Sequence, residues 1–269
     1  MKGKAVRPPA RGDRLFAPLA VDYAAARPSY PAAVFDRFRS LVEGGPARMG
    51  EGTPPVLDVA AGTGIATGGL LASGLRVATI EPATRMLLEA VRSLAGRPGW
   101  TGALAARAEA LPLRDASVAG VVVAQAFHWL DPRPALDEFA RVLEPHGVLL
   151  VLWNVTEPDA FTRDVWGLVE RHNPGQKRPV TPRMREIPAP LRDHPAFAVD
   201  PTVTSDHERA LTHDEYIRYA RSWSYVGGAL RPPALDAFER ELRGVLERHG
   251  REGSVRERFV TVAHFARRL

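Results

Sequence analysis

Residues 56–67, "VLDVAAGTGIAT", decide how this chain is read. An apolar run, Val56, Leu57 and Val59, carries one carboxylate, Asp58, and then turns through small residues with Gly62 and Gly64. A helical pattern begins directly behind the turn. A strand that ends this way and feeds a helix is the first unit of a doubly wound α/β sheet, where ligands sit beyond the C-terminal ends of the strands. Glycines omit the Cβ there, so a ligand can approach the main chain and face the amides that open the helix.

The pattern repeats outward from this turn. "LRVATIEP" (75–82), "VAGVVVAQAF" (118–127) and "GVLLVLWN" (147–154) read as buried strands, and "TGALAARAEAL" (101–111) as a weaker one. Between them, "GIATGGLLASG", "ATRMLLEAVRSLAG" and "PRPALDEFARVLEPHG" read as helices, two of them closed by Gly74 and Gly96. Continuous apolar strands alternating with helices imply a parallel sheet covered on both faces. Residues 15–43 are helical in character, interrupted at "ARPSYP". Beyond residue 156 the alternation loosens. The stretch 173–195 is rich in Pro and Arg and reads as an irregular insertion. A strand near Phe197–Val203, two helices within 212–250 and a closing strand in "ERFVTVAHFARRL" follow. The expected organisation is a tail and helical lid over 1–50, an α/β core over 51–156, and an acceptor-side region over 157–269 that completes the same sheet.

The chain has 269 residues, a formal net charge of +5 and no cysteine. Without Cys there is no disulfide, thiolate nucleophile or Cys-ligated metal. No run of 18 apolar residues suggests a membrane span, and the basic N-terminus lacks the apolar core of a secretory signal, so the expected setting is cytoplasmic. In "FERELRGVLERHGREGSVRER" (238–258) cations and acids alternate, which reads as a solvated, ion-paired face. Clustered cations with interleaved aromatics, the mark of a nucleic-acid groove, are missing from it.

Two acids select the ligand class. A dinucleotide fingerprint needs a third glycine, and "GTGIAT" places Thr67 there. Asp58 would repel a pyrophosphate, yet it suits a ligand that brings an amino group and a sulfonium. Glu81, at the end of the second strand and nineteen positions after Gly62, can accept both hydroxyls of a ribose.

"VLDVAAGTG", "IEPATRM", "AEALPL", "AQAFHWLD" and "RVLEPHGVLLVLWN" together resemble the class I S-adenosylmethionine-dependent methyltransferases, in the branch that includes trans-aconitate methyltransferase-like proteins. "YAAARPSYP" (23–31) extends the resemblance upstream. It implies a Rossmann-like seven-stranded sheet with an antiparallel last strand, and S-adenosyl-L-methionine as cofactor. It assigns Ala60, Gly62 and Gly64 to the methionine moiety, Glu81 to the ribose, Ala108 and Glu109 to the adenine, and Gln125 and Ala126 to the region near the transferred methyl, with Pro82 and Met86 also in the cofactor site. Arg107 departs from the Asp that relatives often carry, and Ala119 and Gly120 replace the usual acid at the start of the fourth strand, a structural change.

The resemblance also folds residues 23–31 over the cofactor. Arg27 can pair with the methionine carboxylate, and the Tyr23 ring can cover the sulfonium. Methyl transfer is an in-line displacement in which alignment supplies much of the acceleration. His128, beside Trp129 and Asp131, is the candidate catalytic group, either orienting the acceptor or acting as a base. Tyr30, Trp129, Trp153, Trp223 and Tyr225 are candidate acceptor contacts, with "RSWSYVGG" (221–228) as a pocket wall whose Gly-Gly pair would let it move. The expected partner is a small-molecule acceptor methylated at O, N or C, with neither nucleic acid nor membrane and the chain as monomer or homodimer. The alternatives are a nucleic-acid methyltransferase and a non-methylating protein that uses the bound cofactor structurally or electrostatically.

Overall fold

The computed structural model describes residues 19–44, 54–176 and 184–269. The expected N-terminal tail and the centre of the 173–195 insertion lie outside the described residues. Five strands run parallel: β1 (Val56–Val59), β2 (Val77–Ile80), β3 (Trp100–Leu104), β4 (Val118–Ala124) and β5 (Leu143–Thr156). The sheet order is β3-β2-β1-β4-β5-β8-β6, and the long β8 (Ser254–Arg268) is antiparallel to both its neighbours. The order reverses at β1, and this switch point is where a doubly wound sheet opens a crevice.

Among the described residues there are eight strands where seven were expected. β6 (Phe197–Val199) and β7 (Val203–Thr212) both pair with the edge of β8 that β5 leaves open. β8 residues 259–263 bond to β5 on one side and β7 on the other, so β6 and β7 share one sheet position in succession. The break at residues 200–202 shifts the register by one residue, and the seven-position architecture stands.

Helices cover both faces. α1 (Ala20–Ala26) and α2 (Ala32–Glu43) precede the sheet. α3 (Ile65–Ala72), α4 (Thr84–Leu94) and α5 (Pro132–Val142) are the crossovers between its parallel strands. α6 (Ala160–His172) starts at a capping box in which Asp159 and Thr162 exchange side-chain and backbone bonds. The short α7 (Ala189–Arg192) follows, then α8 (His213–Arg221), capped likewise by Thr212 and Glu215, and α9 (Ala234–His249).

The packing explains the acid missing from the fourth strand. Phe35 and Phe38 of α2 are buried to 2% and 0% exposure. A Cβ on Gly120 would lie 2.6 Å from the Phe38 ring, and one on Gly69 of α3 would lie 2.1 Å from Phe35. Gly120 thus seats a helix of the opposite layer, and a carboxylate at that place would have no room. Among the described residues, no helix is long and apolar enough to cross a membrane.

Candidate functional site

The C-terminal ends of β1, β2 and β4 open into a cavity of about 1140 Å3. Ligand sites usually hold roughly 300–1,000 Å3, so this space can take a nucleoside-sized molecule with a second small one beside it. Two residues at its rim depart from ordinary backbone. Ala60 (φ 54°) and Gln125 (φ 57°) sit in the left-handed region, a strain that β-branched side chains would not tolerate. Such strain gathers where a fold must turn its chain around a ligand.

Glu81 organises the glycine turn. Its Oε2 accepts the Gly62 amide at 2.9 Å and its Oε1 accepts the Ala83 amide at 2.8 Å. The carboxylate is thereby fixed at the cavity edge, and a carboxylate can accept about four hydrogen bonds, so the group that holds the turn can also receive ligand hydroxyls. A Cβ on Gly62 (φ +59°) would come within 3.5 Å of Met86 and 3.9 Å of the Tyr23 ring, which places α1 and α4 on either side of the turn.

Seventeen of the nineteen residues singled out from the sequence line the cavity, from Tyr23 and Arg27 through Ala60, Gly62 and Glu81 to Trp223 and Tyr225. Gly64 and Asp58 are the two that do not. Gly64 (φ +83°) opens α3 against α4, where a Cβ would meet Leu94 Cδ1 at 2.8 Å. Its absent side chain serves helix packing rather than a ligand. Asp58 points beneath the turn, and its Oδ2 accepts the Thr67 hydroxyl at 2.6 Å. The two departures from a dinucleotide fingerprint, the carboxylate and the Thr in the third glycine slot, are therefore one interaction. Burial pushes the Asp58 pKa up to about 7, against the pull of the Thr67 hydrogen bonds.

The adenine-side residues take a particular form. Ala108 is buried, and Glu109 accepts from Arg107 Nε at 3.2 Å and from the Asp131 amide at 3.0 Å. Arg107 thus pairs with the neighbouring acid, Glu109. Gln125 donates from Nε2 to the Asn154 carbonyl at 3.1 Å.

Residues 23–31, the expected lid, are tied to three other parts of the chain. Arg27 donates to Ser222 Oγ at 2.9 Å and Ser222 O at 3.0 Å, with its guanidinium 4.7 Å from the Tyr23 ring centre. Asn154 Nδ2 donates to Ser29 O at 2.9 Å, and Arg209 Nη1 to Ala26 O at 2.6 Å. Ser222, Asn154 and Arg209 were not singled out from the sequence, since a side chain that binds a distant carbonyl leaves no local pattern.

His128 sits in a short 3-10 turn (Phe127–Trp129) with its ring 5.1 Å from that of Trp129. Partial burial pulls its pKa below the ordinary 6.5, which favours the neutral ring. Among the described residues no carboxylate bonds to its ring. At the far end Trp166, Tyr225, Trp223 and Tyr219 form a chain of ring contacts at 5.1, 5.5 and 5.1 Å. The Gly-Gly pair sits in a tight turn that leaves no room for a side chain. A Cβ on Gly227 would lie 2.1 Å from Arg221 O and one on Gly228 2.3 Å from Ser224 O, so the turn is closed around them.

Glu257, which also lines this end, was hidden in the charge-alternating segment read as a solvated face. That face divides by phase. Val255, Glu257 and Phe259 of β8 are buried, while Arg256 and Arg258 are exposed. The period of two from Val255 onward is the signal that could have found it.

Residues 57–151 match the model of a methyltransferase domain. An uncharacterized methyltransferase of Mycobacterium tuberculosis is 41% identical over 135 residues, half of each chain. The demethylmenaquinone methyltransferase of Clavibacter sepedonicus is 35% identical over 109 residues, 40% of this chain and 44% of its own. The chain thus spans about half the length of the curated relatives it matches. A solved structure from Anaeromyxobacter dehalogenans, provisionally assigned as a type II methyltransferase, is 26% identical with a TM-score of 0.63 and covers 90% of this chain and 97% of its own.

Proposed function

We propose that this chain, whose residues 57–151 form a methyltransferase domain, transfers the methyl group of S-adenosylmethionine to an oxygen, nitrogen or carbon of a small organic acceptor. The observation that carries the reading is the continuity of one cavity, from the Glu81-braced glycine turn to a chamber walled by aromatic rings. The residues suit that cofactor. Glu81 can accept the ribose hydroxyls, and the bare backbone at Ala60–Gly62 leaves space for the methionine chain. Arg27 and Tyr23 lie where a carboxylate and a sulfonium are complemented by a cation and a ring face.

S-adenosylmethionine supplies a methyl carbon already activated for displacement by its sulfonium. The protein's share is then to bind, align and exclude water. The tethers from Ser222, Asn154 and Arg209 hold residues 26–29 in place, and a lid so fixed beside the cavity would help to exclude water. His128, without a described carboxylate bonded to its ring to orient it, suits an acceptor-orienting role better than that of a base. The test is calorimetric: the protein should bind S-adenosylmethionine and S-adenosylhomocysteine and ignore NADH. Binding of NADH instead would remove the reading. Labelled-methyl transfer to a panel of small acceptors then checks turnover.

A further inference from the structure

The acceptor end of the cavity has a chemistry that the methyl donor does not explain. Glu257 is 3% exposed, and its carboxylate lines the chamber. Its cation, Arg209, stands directly opposite on β7 and donates from Nη2 to Oε2 at 3.2 Å. Arg209 does not line the chamber. It lies behind, with its guanidinium 4.1 Å from the Tyr219 ring centre and 5.4 Å from that of Phe259, and it donates to the Ala26 carbonyl. What the chamber presents is therefore the carboxylate, while the guanidinium is turned into the lid and the rings. Glu257 Oε1 accepts no hydrogen bond from another described residue. Trp166, Tyr216, Tyr219, Trp223 and Tyr225 line the space around it.

A carboxylate set among ring faces suits one class of occupant. An anionic acceptor would meet a like charge, and Arg27, a cation lining the same cavity, is already bonded to Ser222 Oγ and O. A wholly apolar one would leave the second carboxylate oxygen, Oε1, buried without a partner, which is costly. An ammonium gains a charge-assisted hydrogen bond from the carboxylate and attraction to the ring faces. We propose that the acceptor chamber takes a small organic amine in its ammonium form, held by Glu257 within the ring set of Trp166, Tyr219, Trp223 and Tyr225, with the methyl passing to another atom of the molecule that keeps a lone pair, since the ammonium nitrogen has none. This specifies the acceptor class of the methyltransferase reading and rests on it. The charged groups that act on Glu257 are Arg209 on β7, Arg27 near the N-terminus and Asp159 ahead of α6, while Tyr216 and Tyr219 of α8 stay neutral because burial raises their pKa values.

Binding also has a proton signature. Burial pushes the Glu257 pKa up to about 7, so near neutrality part of the population holds a proton that an arriving ammonium displaces. The experiment is calorimetry on protein saturated with S-adenosylhomocysteine, with phenethylammonium, 2-phenylethanol and phenylacetate as probes of similar size. Phenethylammonium should bind at least roughly tenfold tighter than phenylacetate, with an apparent enthalpy at pH 7 that depends on the ionisation enthalpy of the buffer. Glu257→Gln, close in shape, should bring the three probes together and abolish the buffer dependence. The wild-type ranking stands as a test even if that variant folds poorly. Equal or tighter phenylacetate binding, no binding of any probe, or an unchanged preference in a folded Glu257→Gln protein overturns the proposal. Failure of S-adenosylhomocysteine itself to bind overturns the methyltransferase reading instead.

Discussion

Asp58 carries its carboxylate inside the sheet, and its folded pKa is raised to about 7 from an ordinary 3.8. Between those values the folded chain holds a proton that the unfolded chain has lost. Folding then takes up a proton, and this group's contribution to stability falls as pH rises from about 4 to about 7, by an amount on the order of a few kcal/mol. Asp58→Asn keeps an acceptor for Thr67 and removes the titration. Its melting temperature should exceed that of the wild type at pH 8 and approach it at pH 4.5; a lower value at both would show that the charge itself is needed. Glu81→Ala should weaken S-adenosylhomocysteine binding by roughly 2 kcal/mol or more, through loss of an acceptor for ribose and of the brace on Gly62. Unchanged affinity in titration of a folded variant would take Glu81 out of the site. His128→Ala should raise KM for the acceptor with kcat within about threefold and no rescue at high pH, whereas a base would lose roughly 10²-fold in kcat. The pH–rate profile separates the two.

Elements meet here through missing side chains. The α2 helix presses Phe35 into the place of a Cβ on Gly69 and Phe38 into that on Gly120, which locks it to α3 and to β4. Forcing a methyl into either contact should cost about 1–3 kcal/mol. Gly69→Ala should therefore lower the melting temperature by several degrees, and Phe35→Leu in the same chain should restore part of the loss. If the two changes merely add, the contact is not what limits the packing. The same reasoning separates the two glycines of the turn: Gly64 answers to Leu94 and stability, Gly62 to the open cavity.

Across the whole molecule, residues far apart in sequence close one site. Arg27 reaches Ser222 across 195 positions, and Arg209 reaches Ala26 across 183. The lid belongs to the C-terminal region as much as to the N-terminal one. Arg27→Met, which keeps the stem and removes both bonds to Ser222, should weaken S-adenosylhomocysteine binding by roughly tenfold or more and speed amide exchange over residues 20–31. Exchange that stays slow in that segment would mean the lid is held by packing alone.

The alternation of strands 1–5 with helices, the turn at Gly62 and the acid at Glu81 were legible because each is a local demand. A strand buried on both faces must be apolar throughout, a left-handed turn must be small, and an acid one crossover later must end at the same sheet edge. What the sequence could not state was which side chain answers which. Thr67 looked like a missing glycine until Asp58 was found beside it. Glu257 looked like one more charge in an exposed run, and "VTSDHERALT" hid β7 because its inward face is polar. Those outcomes depend on contacts between strands and helices distant along the chain, where a charge is buried only because a partner from another element arrives to meet it. Tertiary structure decided them, since burial and pairing are properties of the assembled sheet and lid and not of any stretch of residues.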